Sequence, residues 1–276
     1  MGSKAKLYVV STPIGNLSEM TPRAIEVLKS VFLIGCEDTR VTMKLCQHFE
    51  IEKPLVSCHE HNEHLVIDKF LSALDEGHDV AIVSDAGYPG ISDPGSFIIQ
   101  KTIDAGYDVN VISGPCAIIN ALVGSGLDTT HFYFHGFLPA KTSDSRKELD
   151  LLKEKHETII FYEAPHRIGD TLEIIKDVFG NRKASICREL TKIHEEFIRG
   201  QLSDLIEQCN TRQLKGEMVL VVDGAPKLER PSVSSYDIIE NVNRLIEGGM
   251  STKDAIKSVA EQLDIGKNEV YRIFHQ

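Results

Sequence analysis

The segment Val80-Ala-Ile-Val-Ser-Asp-Ala-Gly-Tyr-Pro-Gly-Ile-Ser-Asp-Pro-Gly95 joins a short apolar run to a polar, Gly/Pro-rich loop. An uninterrupted run of small and β-branched apolar residues is typical of a strand that is buried on both faces of a sheet. The glycines of the loop allow close approach of a ligand to the backbone, and its prolines make it rigid. The segment therefore predicts a parallel α/β sheet with a ligand site at the carboxyl end of this strand.

The composition of the same loop narrows the class of ligand. It contains neither the lysine of a Walker motif nor the Gly-x-Gly-x-x-Gly of a dinucleotide fold, so a phosphate cradle is not predicted. The strand-end carboxylate of Asp85 suits the amino group of a zwitterionic ligand or a cationic centre. We expect Asp93 only to shape the turn. The alternative, a mere connecting loop, fits the length and rigidity of the segment poorly.

The first part of the chain, residues 1–124, alternates apolar runs with amphipathic stretches. Strands are predicted at Leu7–Ser11, Phe32–Cys36, Pro54–Ser57, Val80–Ser84 and Val109–Ile112. Helices are predicted at Pro22–Lys29, Val41–His48, His64–Glu76 and Phe97–Ala105. This alternation indicates a mostly parallel sheet covered by helices on both faces.

Residues 125–226 are predicted to form a second α/β domain, in which strands outnumber helices and the sheet is mixed. Its strands are expected at His131–Leu138, Thr158–Glu163, Ala184–Glu189, Glu196–Gly200 and Glu217–Val222. Its helices are expected at Asp144–Lys155, Ile168–Phe179 and Leu202–Cys209. The composition of Ala225–Ser232 is that of a linker.

Residues 233–276 are predicted to form a C-terminal segment of three short helices, Tyr236–Glu247, Thr252–Leu263 and Lys267–Phe274. Its last two helices resemble a helix-turn-helix. The small core of that motif would consist of Ala260, Leu263, Ile265 and Val270. Four basic residues of the segment would contact RNA phosphate: Lys253, Lys257, Lys267 and Arg272. A purely structural three-helix unit is the alternative.

The composition indicates the cellular compartment of the protein and the kinds of partner that it can bind. The six cysteines of this 276-residue chain are scattered without a Cys-x-x-Cys pair, which is typical of reduced thiols in a cytoplasmic protein. We expect no membrane segment, because no apolar run approaches the length that a membrane helix needs. The net charge of −11 argues against a nucleic-acid partner, although a local basic patch is sufficient for binding.

The segment Cys58-His-Glu-His-Asn-Glu-His64 contains residue types that bind metals. In an extended chain, however, His59 and His61 point in opposite directions, and Asn62 is predicted to cap the following helix. We therefore predict no metal site and interpret the segment as a structural or RNA-facing loop.

Six motifs occur in a fixed order along the chain. They are Thr12-Pro-Ile-Gly-Asn-Leu17, Glu37-Asp-Thr-Arg40, Ser84-Asp-Ala-Gly87 with Ile91-Ser-Asp-Pro-Gly95, Phe161-Tyr-Glu-Ala-Pro-His-Arg167, Arg188-Glu-Leu-Thr-Lys192 with His194-Glu-Glu196, and Gly216-Glu-Met-Val-Leu220. Together they closely resemble the ribosomal RNA small subunit methyltransferase I family of the tetrapyrrole methylase-like superfamily. One departure is Ser113-Gly-Pro, where the family more often has Pro-Gly-Pro.

The resemblance implies S-adenosylmethionine-dependent 2′-O-methylation of a cytidine ribose in the decoding region of small-subunit (16S) rRNA, either as naked rRNA or in the assembled small subunit. It also implies a homodimer and a cofactor cleft between two α/β domains. The cofactor contacts carried over by motif position are Ile14, Ser84, Asp85, Tyr88, Cys116, Ala117, Glu163 and Leu190. Most of these contacts are expected through backbone groups.

Methyl transfer from a sulfonium is an in-line displacement that needs no metal, but it needs an oriented hydroxyl and an acceptor for its proton. The candidates for that base are a lysine of depressed pKa or a carboxylate, namely Lys192, Glu195, Glu37 and Asp38. Arg40, Arg167 and Arg188 suit backbone phosphates. For each of these charged residues, a solvated face or an ion pair is the alternative. RNA binding by an acidic protein requires its basic residues to converge, here Arg40, Lys44, Lys141, Arg146, Lys147, Arg167, Lys183, Arg188 and Lys192.

The sequence leaves two other functions open. The first is a small-molecule methylase that acts on a tetrapyrrole-like acceptor, against which the motifs Phe161–Arg167 and Arg188–Glu196 and the C-terminal helices argue. The second is a non-enzymatic module that binds the cofactor without transfer, against which the many charged loop motifs argue.

Overall fold

The computed structural model describes residues 5–59, 62–226, 234–263 and 265–275. The chain divides into two compact units, Met1–Ala225 and Pro226–Gln276. The first unit contains two five-stranded sheets and the second contains three helices, so the predicted fold class is confirmed. The boundary between the two α/β domains, at residues 124 and 125, stays a prediction.

The first sheet and its helices alternate along the chain as predicted. The strands are β1 (Lys6–Val10), β2 (Leu33–Cys36), β3 (Leu55–Ser57), β4 (Val80–Val83) and β5 (Asp108–Ile112). The helices are α1 (Pro22–Ser30), α2 (Thr39–His48), α3 (Glu63–Asp75), α4 (Ser96–Asp104) and α5 (Ala117–Ser125). The strand order is β3-β2-β4-β1-β5 and every pair is parallel, so the carboxyl ends of all five strands lie at one edge.

Alternate residues of these strands enter two separate cores. Val9 and Ile82 pack on one face of the sheet with residues of α3 and α4, including Phe70. Val10 and Ala81 pack on the opposite face with residues of α1 and α2. Successive side chains of a strand point to opposite faces, so a strand covered on both sides must be apolar throughout. This explains the unbroken apolar run that identifies β4.

The second sheet contains both parallel and antiparallel pairs, which confirms the predicted mixed sheet. Its strands are β6 (Phe132–Phe137), β7 (Thr158–Glu163), β8 (Lys183–Arg188), β9 (Glu196–Gln201) and β10 (Met218–Val222), in the order β6-β7-β10-β8-β9. Its helices are α6 (Thr142–Leu152), α7 (Ile168–Phe179) and α8 (Leu202–Thr211). The β6–β7 pair is parallel and the other three pairs are antiparallel.

The two faces of the second sheet pack against different parts of the chain. One face packs against α6, α7 and α8 in a large core that includes Phe161 and Leu172. The other face carries Ile160, Val219 and Val221, and these pack against α5 and against Ile14 from the loop after β1. Residues from the first part of the chain therefore cover the inner face of the second sheet.

Helix α5 is an element that the sequence analysis did not predict. Ile118, Ala121 and Leu122 are buried, while Ile119 and Val123 are exposed. Apolar residues thus occur all round the helix, and amphipathic periodicity, the usual signal of a helix, is weak. Burial against the second sheet, which lies far away in sequence, decides its position.

The second unit consists of α9 (Ser235–Glu247), α10 (Thr252–Leu263) and α11 (Lys267–Phe274), and these bounds confirm the three predicted helices. Ala260 and Val270 are buried in their common core, and Leu263 and Ile265 are partly buried. Lys253, Lys257, Lys267 and Arg272 are exposed. Of the predicted linker, residues 227–232 lie outside the described residues. No helix of the described chain is long and apolar enough to span a lipid bilayer.

Candidate active site

The loops after β1, β4 and β5 meet at the carboxyl edge of the first sheet. Thr12 and Gly87 exchange two backbone hydrogen bonds of 3.0 Å, and the Thr12 hydroxyl donates to the Ser84 carbonyl oxygen at 3.1 Å. The backbone N–H of Gly114 donates to the Tyr88 hydroxyl at 3.0 Å. These bonds hold three loops of different sequence position in one rigid surface.

Loops of the second sheet face this surface and enclose a cavity of about 580 Å³. From the first part of the chain, its wall includes Ile14, Tyr88, Cys116 and Ala117. From the second part, it includes the ends of β7 and β8 and the residues that precede β10. The position of this cavity agrees with the predicted cleft between two domains.

Six of the eight residues that the resemblance assigns to cofactor contact line this one cavity. They are Ile14, Tyr88, Cys116, Ala117, Glu163 and Leu190. The other two, Ser84 and Asp85, are not among the lining residues. The Ser84 hydroxyl donates to the Gly87 carbonyl oxygen at 3.1 Å, and an Asp85 carboxylate oxygen accepts the backbone N–H of Asp38 at 3.2 Å. Both side chains thus support the loops from behind the cavity wall.

Glu163 is a buried carboxylate at the end of β7. It accepts hydrogen bonds from the Thr171 hydroxyl at 2.6 Å and from the backbone N–H of Ala164 at 2.7 Å. The Arg167 guanidinium lies 3.6 Å from Glu163 and donates to the carbonyl oxygens of Leu138 and Pro139. In this structure Arg167 therefore connects β7 to the chain after β6.

Lys192 is the one candidate base that lines the cavity. Its ammonium lies 3.0 Å from carboxylate oxygens of both Glu189 and Glu217. Burial by itself lowers the pKa of Lys192, but the hydrogen bonds to Glu217 and Glu189 outweigh it and hold the pKa above its usual value. A lysine of depressed pKa, one of the two kinds of base expected, is therefore not found at this position.

A glycine allows this lysine to cross from the second sheet to the first. A Cβ atom on Gly15 would lie 2.5 Å from Lys192 Cγ, so the close approach depends on the absence of a side chain. The backbone at Glu189 and Thr191 has positive φ values of 50° and 66°. Non-glycine residues adopt this region at an energetic cost, and such strain concentrates at functional sites.

The remaining candidate bases lie outside the cavity wall. Asp38 caps α2, and hydrogen bonds from Arg40 lower the pKa of its carboxyl to about 2. A carboxylate of Glu195 accepts the backbone N–H of Thr191 at 2.7 Å. Glu37 lies near enough to Asp93 to raise the pKa of that residue.

Asp93, which the sequence analysis expected only to shape the turn, is part of the cavity wall. Burial, together with the charges of Glu37 and Asp85, raises the pKa of its carboxyl to about 6. The signal that could have identified it is its place in the same motif as Asp85. Glu189 and Glu217 were missed in the same way, since both belong to quoted motifs and line the cavity.

The predicted RNA-binding residues differ in how much of their side chain is available. The side chain of Arg40 is 87% exposed and pairs with Asp38 at 2.6 Å. Arg188 is committed to the fold, because it pairs with Glu196 at 3.0 Å and donates to the Lys215 carbonyl oxygen. RNA binding was predicted to require nine basic residues to converge, and one of the nine, Lys192, lines the cavity. Lys44, Lys141 and Lys183 are exposed, and Arg146 and Lys147 pair with Asp177 and Asp144.

The described residues contain no group of three or more histidine, cysteine or acidic side chains that could hold a metal ion. In the histidine-rich segment, Asn62 occupies the N-cap position before α3 as predicted, although its side chain accepts the backbone N–H of His59 and makes no capping hydrogen bond to the helix. Glu60 and His61 lie outside the described residues.

Comparison with known proteins places this geometry in a family. Residues 6–206 match the family model of the tetrapyrrole (corrin/porphyrin) methylases. A protein of Bacillus subtilis (strain 168) named ribosomal RNA small subunit methyltransferase I is 45% identical over 98% of this chain and 94% of its own length. A protein of the same name from Synechocystis sp. is 42% identical over 97% of this chain and 96% of its own length.

A solved structure supports the fold. The crystal structure of uroporphyrin-III-C-methyltransferase from Thermus thermophilus superposes with a TM-score of 0.54 at 19% identity, and the match covers 80% of this chain and 95% of that one. At this identity the likeness concerns the fold alone. From the family model and the near full-length relatives, the chain belongs to the ribosomal RNA small subunit methyltransferase I family of the tetrapyrrole methylases and is a methyltransferase.

Proposed function

We propose that this methyltransferase transfers a methyl group from S-adenosylmethionine to the 2′-hydroxyl of a cytidine ribose in the decoding region of small-subunit rRNA. The observation that carries the proposal is the match along nearly the whole chain to relatives named for methylation of this RNA. The nucleoside and the 2′ position come from the motif resemblance and are the finer part of the proposal.

The cavity fits a cofactor of this size. Sites for small ligands enclose roughly 300 to 1,000 Å³, and the cavity between the two sheets measures about 580 Å³. Ile14, Ala117 and Leu190 have no polar side-chain atom, so their proposed contacts are through backbone groups and apolar surface. When bound, S-adenosylmethionine supplies an electrophilic methyl group on a sulfonium sulfur. The protein's part is to hold the acceptor hydroxyl in line with that methyl and to exclude water.

Lys192, the candidate base in the cavity wall, has a different proposed role. An ammonium held by Glu189 and Glu217 remains protonated at neutral pH. We therefore assign it the neutralisation of these two carboxylates in the cavity wall. Asp38 is a weak base because its pKa is low. Glu37 and Glu195 remain candidates from the sequence, although neither lines the cavity.

RNA binding is proposed to depend on the exposed cations near the carboxyl edge of the first sheet and in the loop after β6. Arg40 and Lys44 lie on α2, which begins directly after the loop that follows β2. Lys141 precedes α6. Arg167 and Arg188 already hold carbonyl oxygens or carboxylates, so a phosphate would have to compete for their guanidinium groups.

A homodimer is also proposed. β5 is an edge strand of the first sheet, and its Val111 is 58% exposed. On α5, Val123 is 67% exposed and Ile119, one turn earlier, is 44% exposed. Exposed apolar side chains on one helix face are typical of protein–protein contact. Because the proposed acceptor is ribosomal RNA, we propose that the protein acts in the cytoplasm.

The test is incubation of the purified protein with labelled S-adenosylmethionine and small subunits from a strain that lacks the activity, followed by mapping of ribose methylation. Label is expected at a single cytidine. Small subunits from a strain that retains the activity are the matched control and should accept no label. A parallel reaction with naked 16S rRNA determines which form of the RNA is the substrate.

The competing function is methylation of a tetrapyrrole-like small molecule. Label on such an acceptor, with none on the small subunit or on naked rRNA, would replace the proposal. Label on a base, or on a ribose other than that of a cytidine, would support rRNA methylation but contradict the assignment to the 2′-hydroxyl of a cytidine.

A further inference from the structure

Four carboxylates line the cavity: Asp93, Glu163, Glu189 and Glu217. A group that removes a proton from the acceptor must reach this space, and a carboxylate that is already paired with a cation or with hydrogen-bond donors is a weaker base, because these partners favour its charged form. The four residues can therefore be compared by their partners.

Three of the four are engaged in the resting structure. Glu163 accepts bonds from Thr171 and Ala164. Glu189 and Glu217 share the ammonium of Lys192, each at 3.0 Å.

Asp93 differs from the other three. It has no hydrogen bond or ion pair to any residue that the structure describes. It lies on the loop after β4, between Ser92, which also lines the cavity, and the turn that leads into α4. Both carboxylate oxygens are thus available to a ligand in the cavity.

The surroundings of Asp93 increase its affinity for a proton. Its burial is the main cause of the raised pKa of about 6, and the negative charges of Glu37 and Asp85 contribute. Tyr162 also lines the cavity, and burial, together with nearby negative charges that include Asp93, raises the pKa of its hydroxyl well above the usual value, so it is neutral. Lys192, the cation that lines the same cavity, is paired with Glu189 and Glu217 and not with Asp93. A carboxylate in this setting is ionised at neutral pH and still accepts a proton readily.

We propose that Asp93 is the general base of the transfer, the residue that accepts the proton of the ribose 2′-hydroxyl. This inference rests on the proposed function. The hydroxyl oxygen forms a bond to the methyl carbon while the bond from that carbon to sulfur breaks and its electron pair stays on sulfur. The hydroxyl proton passes to an Asp93 carboxylate oxygen and then to solvent, so the sulfonium becomes a neutral thioether and the site regains its charge.

The experiment compares Asp93→Asn and Asp93→Glu with the wild-type protein, using the labelled transfer to small subunits. Asp93→Asn keeps the size of the side chain and removes its basicity, and general-base catalysis contributes about 10²- to 10⁴-fold. We expect kcat to fall at least 100-fold, with a dissociation constant for S-adenosylmethionine, measured by calorimetry, within threefold of the wild type. Asp93→Glu should recover at least tenfold in kcat over Asp93→Asn.

The matched control is Asp104→Asn, which removes an exposed carboxylate from α4, the helix after the same loop. It should leave transfer unchanged and so excludes a general effect of lost negative charge. The pH profile adds a readout that a structural role would not move. The kcat of the wild type should fall as pH drops below about 6, where Asp93 is protonated, and the residual activity of Asp93→Asn should lack this fall.

The outcomes separate this inference from the function on which it rests. If the wild type methylates rRNA and Asp93→Asn stays within threefold of it, the base is another residue and the proposed function stands. If Asp93→Asn loses cofactor affinity as strongly as it loses rate, Asp93 is a binding residue and the inference is wrong. If the wild type transfers no methyl group to small subunits or to naked rRNA, both proposals are wrong.

Discussion

The hydrogen bond between Thr171 and Glu163 provides a quantitative test of the cavity wall. The hydroxyl donates to the carboxylate at 2.6 Å, and both residues are 3% exposed. Thr171→Val replaces the hydroxyl by a methyl group of similar size and removes this bond only. Hydrogen bonds to charged groups contribute about 1.5 to 3 kcal/mol to stability. Because Glu163 keeps the bond from Ala164, we expect a loss of about 2 kcal/mol.

The matched control is Thr171→Ser, which keeps the hydroxyl and removes one buried methyl group, at a cost of about 0.8 kcal/mol. The assay is native-state hydrogen exchange with peptides from α7 and β7, so that the second unit does not contribute to the signal. An opening free energy lower by 2 kcal/mol accelerates exchange about 30-fold. Thr171→Val should exchange several-fold faster than Thr171→Ser. Equal exchange in the two variants, or slower exchange in Thr171→Val, would refute the importance of this bond.

Three further predictions address the charges and the oligomer. Lys192→Arg should keep the transfer rate within about tenfold of the wild type, because a cation still neutralises Glu189 and Glu217. Lys192→Met should reduce the rate further, since it leaves both carboxylates without that cation. An inactive arginine variant would instead support Lys192 as the base. Because the folded-state pKa of Asp38 is depressed to about 2, its contribution to stability is present above the ordinary carboxyl pKa of about 4 and is lost as pH falls towards 2. Asp38→Asn should therefore be less stable than the wild type in urea unfolding at pH 7, with the difference shrinking towards pH 2. Val123→Lys should convert the proposed dimer to a monomer in analytical ultracentrifugation, and an unchanged mass would place the dimer contact elsewhere.

Local sequence was sufficient for most of the fold because most elements carry their own periodicity. The mainly apolar sequences of β1, β2 and β4 follow from burial on two faces, and the amphipathic pattern of α7 follows from burial on one. Helix α5 lacks such a pattern, because its partners are Ile160, Val219 and Val221 of a distant sheet. No window of local sequence contains that information.

The candidate site, like the fold, could be predicted only in part from the sequence. The ordered motifs predicted a cleft and most of its wall, and six of the eight predicted cofactor residues line one cavity. They could not show which carboxylate of a motif reaches the cavity. The sequence favoured Asp85 over Asp93 as the ligand-binding residue of the loop that ends at Gly95, yet Asp85 accepts the backbone N–H of Asp38, whereas Asp93 lines the cavity.

What the sequence determined by itself is the order of the strands and helices apart from α5, together with the family to which the motifs belong. Which charges are engaged and which are available was decided only by the tertiary structure. Lys192 crosses to Gly15 and is held by Glu189 and by Glu217, which lies 25 residues further along the chain. The physical reason is that the pKa and the role of a charged side chain depend on burial and on neighbours within a few ångströms, and the fold brings those neighbours from distant segments.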